Sequence, residues 1–375
     1  MIFDNLPTPV LILDRGVLQR NLDAMRERMR DRGVMLRPHL KTAKSAKVAT
    51  LALGDTDGAV TVSTLAEAEY FFAAGFTDIA YAVGIAPARL DRVAAIRTKG
   101  CALKILTDNA PAAEAVAEHA AGNSSTFDVL IEVDTGEGRA GLPPDSDDLL
   151  EIGRILDAAP GVALAGVLTH AGHSYACEGP EGIRDVAEEE RAGIVAAAER
   201  LRAAGLPCPI VSTGSTPTAT HVEDVSGVTE MRPGVYMFND LKQLSIGSCA
   251  RGDLALSVLA SVIGQNRRHG HLLLDAGALA LSKDISAHDA DPAIGYGEVC
   301  DAETLEPLAG LHVAGVSQEH GVVPVDDPTM FDRLPIGARV RILPNHACIT
   351  AAGYDRYHVL ENGAVTEEWD RVNGW

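Results

Sequence analysis

The feature that most restricts the fold is an alternation, from residue 8 to about residue 240, between short apolar runs and longer Ala-, Glu- and Arg-rich stretches. The apolar runs lie near residues 34–37, 58–62, 78–82, 102–106, 127–133, 162–169, 209–212 and 228–231, and helical spacing occupies stretches such as 15–31, 64–74, 86–99 and 180–204. This alternation is typical of parallel strands joined by helical crossovers. Eight runs at this spacing predict a (β/α)8 barrel. The alternative is an open doubly wound sheet, which normally has fewer strands.

The pattern changes after about residue 250. Apolar runs at 255–263, 271–275, 311–316, 338–343 and 356–360 follow one another without long helices, and Gly, Pro and Asp separate them. Such runs are typical of a smaller, mostly antiparallel β domain. The predicted domains are therefore a barrel at 8–248 and a C-terminal β domain at 249–375, which residues 1–7 can also join.

The composition excludes several classes of partner. The chain of 375 residues carries 32 Lys and Arg against 52 Asp and Glu, which gives a net charge of −20. Such a field repels phosphate backbones and anionic lipids, so neither nucleic acid nor a membrane surface is expected as the main partner. The six cysteines contain no C-x-x-C pair, and neither an export signal nor an apolar run long enough to span a membrane is visible. We therefore expect a cytoplasmic protein with reduced thiols that acts on a small molecule.

The first predicted barrel strand ends in the polar segment Arg37-Pro38-His39-Leu40-Lys41-Thr42-Ala43-Lys44. Catalytic groups of a barrel lie at the carboxyl ends of its strands, where Lys41 falls. Neighbouring cations at Arg37 and Lys44 would favour the uncharged amine that forms an imine. Lys41 is thus a candidate catalytic residue, with His39 beside it. The alternative is that Lys41 and Lys44 are ordinary solvated loop cations.

Small residues with hydroxyl groups follow the run at 209–212, in the segment Ser212-Thr213-Gly214-Ser215-Thr216-Pro217-Thr218. Backbone N–H groups of such a loop can approach a phosphate closely, and barrels often bind phosphate after their late strands. The nearby Gly234 and Tyr236 could add a further amide and a phenol. The candidate phosphate-binding residues are Thr213, Gly214, Ser215, Thr216, Gly234 and Tyr236, although a plain loop has the same composition.

The segment Pro344-Asn345-His346-Ala347-Cys348 carries an imidazole and a thiol two residues apart. On an extended strand such side chains point to the same face and could bind one soft divalent ion. Two protein ligands leave open coordination positions, as a catalytic metal site needs. His346 and Cys348 are therefore candidate metal ligands, although a single pair of this type also occurs by chance.

Three further polar patches follow predicted strands, at 134–139, 170–175 and 318–321. Each could be a structural polar group, but their shared place at strand ends favours a site. From these patches we take Arg139 and Tyr175 as candidate catalytic residues and His173 as a candidate cofactor contact.

Taken in order along the chain, these motifs resemble a known family. Thr8-Pro9 is followed by R-P-H-x-K-T at 37–42, D-x-G-x-x-R at 134–139, H-x-G-H-x-Y at 170–175, S-T-G-S-T-P-T at 212–218 and P-N-H-x-C at 344–348. The set is similar to the D-serine dehydratase and D-threonine aldolase group of pyridoxal-phosphate enzymes, which share the alanine-racemase-type barrel. The resemblance spans essentially the whole chain. Many members have histidine where this chain has Ala43, so the contact made by that histidine is absent here or moved.

The resemblance implies that Lys41 carries pyridoxal 5′-phosphate as an internal aldimine. It implies that residues 213–216 and the turn at 234–236 hold the phosphate, and that His346 and Cys348 bind a divalent metal. The implied activity is that of a lyase that removes water from a D-configured β-hydroxy amino acid such as D-serine, giving a 2-oxo acid and ammonia. The thiolate ligand favours this dehydration, because the resemblance associates an Asp at that position with aldolases. The alternative is D-threonine-type cleavage to glycine and an aldehyde.

Two other interpretations stay open at the level of sequence. A non-catalytic pyridoxal-phosphate carrier also uses a barrel lysine, but it resembles a bare barrel without the C-terminal β domain. A racemase would need a second base opposite the lysine, and the sequence offers none that can be assigned. The expected metal is zinc, because a thiolate and an imidazole suit it better than magnesium, with manganese or magnesium as alternatives. The expected assembly is a homodimer.

Overall fold

The computed structural model describes residues 2–54, 58–289 and 291–375. Within it the chain divides into two compact units. The barrel unit consists of Ala24–Gly234 and Val372–Trp375, and the sheet unit consists of the residues up to Asp23 and Val235–Arg371. This division differs from the predicted boundaries at 8 and 248. The residues up to Asp23 belong to the sheet unit because the first strand pairs there, and the sheet unit resumes at Val235.

The strands are β1 (Val10–Asp14), β2 (Met35–Leu36), β3 (Ala59–Val62), β4 (Asp78–Gly84), β5 (Ala102–Thr107), β6 (Phe127–Glu132), β7 (Val162–Leu168), β8 (Ile210–Thr213), β9 (Glu230–Met231), β10 (Leu256–Asn266), β11 (His271–Leu274), β12 (Glu298–Asp301), β13 (Pro307–His312), β14 (Gly315–Val316), β15 (Gly321–Pro324), β16 (Arg339–Leu343), β17 (Arg356–Glu361) and β18 (Ala364–Asp370). The α-helices are α1 (Arg15–Arg32), α2 (Ala46–Leu53), α3 (Leu65–Ala73), α4 (Leu90–Thr98), α5 (Ala110–Asn123), α6 (Asp147–Ala158), α7 (Pro180–Ala203), α8 (Thr216–His221), α9 (Leu241–Ser245), α10 (Ala278–Leu281), α11 (Met330–Arg333) and α12 (Ala347–Ala351).

The barrel unit contains an eight-stranded parallel sheet in the order β2-β9-β8-β7-β6-β5-β4-β3. The two end strands meet just beyond β2, where His39 and Thr61 form a parallel bridge. Here the Leu40 N–H donates to the Thr61 carbonyl at 2.8 Å, and the Thr61 N–H donates to the Pro38 carbonyl at 2.9 Å. The predicted (β/α)8 barrel is therefore confirmed, and the open doubly wound sheet is excluded.

Several barrel helices begin directly after a strand because a polar side chain caps the first turn. Thr64, Asn109 and Ser215 are the N-cap residues of α3, α5 and α8, and each side chain accepts a backbone N–H from the first turn. Such caps satisfy amides that the helix itself leaves without an acceptor. They keep the connections short, so that polar loop residues stay at the carboxyl ends of the strands.

The sheet unit is built from the remaining strands, in the order β13-β12-β16-β10-β1-β17-β18, with β11 also paired to β10 and β15 also paired to β11 and β14. All of these pairs are antiparallel except that between β1 and β17. The predicted mostly antiparallel β domain is thus confirmed. Its core includes buried apolar residues of β1 and β10, such as Ile12 and Leu259, packed with Phe3.

No helix among the described residues is long and apolar enough to cross a membrane.

Candidate active site

A cavity of about 310 Å³ opens at the carboxyl ends of the barrel strands. Its ionisable lining residues are His39, Lys41, Glu132, Arg139, His170 and Arg232. They come from loops and strand ends that are far apart in the sequence. Active sites of barrels form at this end because the strands deliver their following loops to one mouth. This cavity is therefore the candidate active site of the barrel unit.

Lys41 lies in the loop that follows β2, where its side chain lines the cavity. The loop is held from both sides, because the Lys41 N–H donates to Nδ1 of His39 at 3.4 Å and the Lys44 N–H donates to the Leu40 carbonyl at 2.7 Å. The structure thus places an exposed amine on a fixed backbone at the mouth of the barrel.

The predicted group of cations around Lys41 is arranged differently. Arg37 is buried, and its Nε lies 2.8 Å from Glu230 Oε2 while its Nη1 lies 2.7 Å from Asp78 Oδ1. Lys44 Nζ lies 3.2 Å from Glu67 Oε1. Charged groups that are wholly or partly buried need partners of this kind. Both cations are therefore paired with carboxylates, and neither lines the cavity.

Two histidines of the cavity are kept neutral near pH 7. Burial lowers the pKa of His39 well below its usual value, and the positive charges of Lys41 and Arg232 lower it further. Burial and the charges of Lys41, Arg139 and Arg232 act on His170 in the same way and lower its pKa well below the usual value. A neutral ring has one N–H donor and one acceptor nitrogen, so each histidine can both give and accept a hydrogen bond.

Arg232 follows β9 and lies buried in the cavity wall. Its Nη1 donates to Ser212 Oγ at 2.6 Å and to the Thr213 carbonyl at 3.0 Å. Burial lowers the pKa of Arg232 to about 10, which leaves the side chain charged at neutral pH. Glu132, the last residue of β6, lines the same cavity, and burial raises the pKa of its carboxyl group. The lining thus combines fixed positive charge with one carboxyl group.

The three other candidates from the polar patches have different places. Arg139 lines the cavity and lies 3.2 Å from Glu137. Tyr175 is half-buried, with its ring 6.4 Å from that of His170, and it is not a lining residue. His173 lies against Gly136, and both of its ring nitrogens are buried without a hydrogen-bond partner among the described residues. The patch at 318–321 lies in the sheet unit, in the turn after β14 and at the first residue of β15.

The predicted phosphate loop is an ordered and fully buried turn. Ser215 and Thr218 form a reciprocal capping box at the start of α8. The Ser215 N–H donates to Thr218 Oγ1 at 3.0 Å, and the Gly214 N–H donates to Glu190 Oε1 at 2.9 Å. Two of the amides expected to hold a phosphate therefore have acceptors inside the protein. Thr213 and Thr216 are buried on either side of these two residues.

The other two predicted phosphate-binding residues belong to different units. Gly234 is the last residue of the barrel-unit segment Ala24–Gly234, and a Cβ atom there would lie 2.9 Å from the His39 carbonyl oxygen, so only glycine fits. Tyr236 belongs to the sheet unit, where its side chain is buried in the 3-10 turn Val235–Met237.

Gly214→Ala should destabilise the fold by about 2 kcal/mol, because the residue has a φ of +109°. An added Cβ would also lie 2.8 Å from the backbone nitrogen of Arg232. Urea unfolding measures this loss of stability. Gly84→Ala is the matched control for stability, since Gly84 lies in the same cavity wall and a Cβ there meets nothing within 4 Å. Equal stability of the two variants would contradict this account of the loop.

The predicted metal ligands lie in the sheet unit, on a segment with a different local structure from the one expected. The extended strand β16 ends at Leu343, and His346 is the N-cap residue of the short helix α12, so Cys348 lies in its first turn. The prediction of one extended segment is therefore wrong. The buried Asp240 accepts the Ala347 N–H at 2.9 Å, which holds this turn. The His346 and Cys348 side chains are nevertheless hydrogen-bonded to each other.

The electrostatics of this pair favour a cation. Nδ1 of His346 lies 3.3 Å from Asp284 Oδ2. Burial opposes a charge on the ring, but the Cys348 sulfur and the Asp284 carboxylate outweigh it and raise the pKa of His346. An environment that holds a proton here also favours a divalent ion, for which imidazole and thiolate are good ligands. Across the described ranges, no group of three or more His, Cys, Asp and Glu side chains is arranged to hold a metal.

Two family models match the chain, one over each part of the sequence. Residues 13–242 match the family model of the alanine racemase N-terminal domain, and residues 255–360 match that of a serine dehydratase domain. The D-threo-3-hydroxyaspartate dehydratase of Delftia sp. (strain HT23) is 47% identical over 99% of this chain and 98% of its own length. The chain belongs to the D-serine dehydratase and D-threonine aldolase family.

Other members of the family are also similar to the chain over nearly its whole length. The D-serine dehydratase of Dictyostelium discoideum is 32% identical over 96% of this chain and 94% of its own length. The D-threonine aldolase of Arthrobacter sp. is 30% identical over 97% of this chain and 91% of its own length. A cysteine-to-alanine mutant of D-threo-3-hydroxyaspartate dehydratase, solved in the metal-free form, has a TM-score of 0.96 with 46% identity and full coverage of both chains.

Membership of this family confirms that the chain is an enzyme, a pyridoxal-phosphate-dependent lyase of the D-β-hydroxy amino acid dehydratase and aldolase type. The hypothesis of a non-catalytic carrier is therefore wrong. The barrel cavity fits the cofactor, because Nε of Arg232 is a buried donor without a hydrogen-bond partner in the part of the chain that the structure describes. An acceptor atom of the cofactor would satisfy it. The donor chemistry of His346 and Cys348 fits a divalent metal.

Two buried glutamates, one in the cavity wall and one behind it, have no distinguishing motif in the sequence. Glu132 precedes the D-x-G-x-x-R motif and resembles an ordinary strand residue, yet it lines the cavity. Glu190 is one of several glutamates in α7, yet its side chain is buried and bonded to Gly214. Burial of a single carboxylate on a helix with many glutamates depends on tertiary packing, so periodicity alone does not reveal it.

Proposed function

We propose that the enzyme dehydrates D-configured β-hydroxy amino acids, with D-threo-3-hydroxyaspartate as the preferred substrate and D-serine as a poorer one. The observation that carries this proposal is the charge of the cavity. Lys41, Arg139 and Arg232 line it together with the single carboxyl group of Glu132, although the whole chain has a net charge of −20. A local excess of positive charge favours an anionic substrate over a neutral amino acid. Similarity to D-threo-3-hydroxyaspartate dehydratase supports the same choice.

Lys41 is the proposed attachment point of pyridoxal phosphate, and its Nζ, once released from that bond, is the proposed base that accepts the α-proton. When bound, the cofactor supplies an electron sink for the negative charge that develops at the α-carbon. An amine on a fixed loop at the cavity mouth suits this role, since general-base catalysis needs a correctly placed acceptor. Neutral His39 and His170 add no positive charge beside the substrate amine, and the acceptor nitrogen of His170 can orient that amine by a hydrogen bond.

The proposed cofactor contacts are those of the late strands. Arg232, held by Ser212 and the Thr213 carbonyl, presents its Nε as a donor to the cofactor. Residues 213–216, with Gly234 and Tyr236, are the proposed phosphate site. Because Gly214 and Ser215 donate their amides internally, we propose that their main role is to shape this loop. Tyr175 and His173 stay candidate residues on the same side of the barrel.

His346 and Cys348 are the proposed ligands of a divalent metal. Hydroxide is a poor leaving group, and a Lewis-acidic ion at these ligands would assist departure of the β-hydroxyl group. The net reaction converts the substrate to a 2-oxo acid and ammonia. D-Threonine-type cleavage is the second candidate, supported by 30% identity to a D-threonine aldolase, and the same metal would then acidify the β-hydroxyl group. The thiol at position 348 favours dehydration.

Arg139 is the proposed partner of the second carboxylate of a dicarboxylate substrate. Steady-state assays with D-threo-3-hydroxyaspartate, D-serine and D-threonine, with 2-oxo acid and aldehyde measured separately, should give the highest kcat/KM with the first. In Arg139→Gln this preference over D-serine should fall by about tenfold or more, the value of a charge-assisted hydrogen bond. Arg154→Gln, a change on helix α6 outside the cavity, is the control. An equal loss for both substrates would place the shared α-carboxylate at Arg139 instead.

Zinc as the metal, a homodimeric assembly and a cytoplasmic location stay predictions. Metal analysis of the purified protein and sedimentation equilibrium test the first two directly.

A further inference from the structure

Glu190 is a buried carboxylate behind the wall of the barrel cavity. It lies on α7, is only 1% exposed and does not line the cavity. Its Oε1 accepts the Ala171 N–H at 3.2 Å and the Gly214 N–H at 2.9 Å. One oxygen atom therefore ties together the loops that follow β7 and β8.

The two residues whose amides bind Glu190 are both connected to His170. Ala171 is the next residue in the chain, and the ring of His170 is hydrogen-bonded to the backbone of Gly214. Because the Gly214 N–H already donates to Glu190 Oε1 at 2.9 Å, the ring can bond only the Gly214 carbonyl oxygen, and it is the donor of that bond. In a neutral imidazole, donation by one nitrogen leaves the other as the acceptor. The position of Gly214 thus determines which tautomer of His170 the cavity contains.

Additional contacts show that the same carboxylate belongs to a connected set of buried groups. Thr218 hydrogen-bonds to Glu190, and its Oγ1 accepts the Ser215 N–H at 3.0 Å. The hydroxyls of Ser215 and Ser174 lie 2.9 Å apart, and Ser174 Oγ donates to the Ala171 carbonyl at 2.7 Å. Both loops are therefore linked twice, and Glu190 is the ionisable member of the link.

We propose that Glu190 is a positioning residue of the active site, which holds the loops after β7 and β8 so that His170 presents a single tautomer to the cavity. The inference rests on the proposed assignment of this cavity to pyridoxal phosphate. This role depends on the length of the Glu190 side chain, because a single oxygen atom accepts a hydrogen bond from both amides.

Three substitutions at Glu190 separate the effect of side-chain length from the effect of charge. Glu190→Gln keeps an acceptor oxygen at the same distance and removes the charge, whereas Glu190→Asp keeps the charge and shortens the side chain. Glu190→Leu preserves volume and leaves two buried N–H groups without an acceptor. Ile194→Ala, at a fully buried position of the same helix outside this hydrogen-bond set, is the control for a simple loss of stability.

Two measurements test the proposal, one of the His170 tautomer and one of cofactor binding. The ¹⁵N shifts of the His170 ring, assigned with a His170→Gln variant, give its tautomer, and titration of the apoenzyme with pyridoxal phosphate gives Kd. We expect Glu190→Gln to bind pyridoxal phosphate with a Kd within threefold of the wild-type value and to keep the His170 ring in one tautomer. Glu190→Asp and Glu190→Leu should bind the cofactor about tenfold or more weakly, with mixed tautomers. Ile194→Ala should lose stability without either change.

An unchanged Kd and a single His170 tautomer in Glu190→Asp would overturn the proposal, as would weak binding in Glu190→Gln. If Glu190→Leu fails to fold, the comparison of Glu190→Gln with Glu190→Asp still tests the proposal. If wild-type protein binds no pyridoxal phosphate, the proposed function itself fails, and the His170 tautomer alone tests the role of Glu190.

Discussion

Lys41→Ala should abolish turnover and leave a protein that no longer holds pyridoxal phosphate covalently. The lysine is the amine that lines the barrel cavity, and loss of its proton transfer alone should lower kcat by about 10²–10⁴-fold. Wild-type protein should be yellow, and borohydride should bleach the colour and fix the cofactor to one lysine. Peptide mapping of the reduced protein should find the adduct on Lys41.

Lys47→Ala is the matched control, since Lys47 is an exposed lysine of the neighbouring helix α2 outside the cavity lining. It should keep the colour and the activity of the wild-type enzyme. A borohydride-trapped adduct on another lysine in Lys41→Ala would contradict the assignment of Lys41.

Exhaustive chelation should stop turnover while the visible band of the lysine-bound cofactor survives, because the imine linkage does not require a metal. Cys348→Ala should behave in the same way, since it removes one of the two proposed protein ligands. Expulsion of the β-hydroxyl group without a Lewis acid should be slower by several orders of magnitude. Metal content per chain, measured together with activity before and after chelation, tests this expectation.

Controls distinguish loss of the metal from loss of the fold. Zinc, manganese or magnesium added back to the chelated enzyme should restore activity, and the most effective ion identifies the natural one. Cys101→Ala removes a buried thiol at the amino end of β5, away from the cavity, and should retain its metal. Full dehydratase activity in metal-free protein would rule out the metal-assisted mechanism and would leave the roles of His346 and Cys348 unexplained.

Cys348→Asp extends the same prediction to the choice between reactions. A carboxylate binds harder ions than a thiolate does, so this variant should prefer manganese or magnesium. If the ligand at this position influences which bond breaks, aldehyde formation from D-threonine should rise relative to 2-oxo acid formation. An unchanged product ratio with restored metal would assign the choice of reaction to the barrel cavity.

The sequence by itself determined the barrel. Each of the eight apolar runs overlaps one barrel strand, with ends that agree to within two residues. Strands covered by helices on one side and packed inside on the other are apolar along most of their length, which makes them visible in the sequence. It also determined which loops reach the mouth, since the end of a strand is visible as a change from apolar to polar residues. Lys41 and Arg139, both predicted from strand ends, line one cavity.

Only the tertiary structure decided how the remaining residues are used. The run of β1 is as apolar as a barrel strand, but its backbone pairs with β10 and β17, and pairing partners so distant in sequence leave no local pattern. The cations at Arg37 and Lys44 lie near Lys41 in sequence, yet carboxylates of β4, β9 and α3 form ion pairs with them. Glu190 is bonded to Gly214 because α7 packs on the barrel at that point, and the side-chain type alone carries no record of this contact. Local sequence therefore specifies periodicity and strand ends, whereas the pairing of charges and hydrogen bonds depends on which distant segments the fold brings together.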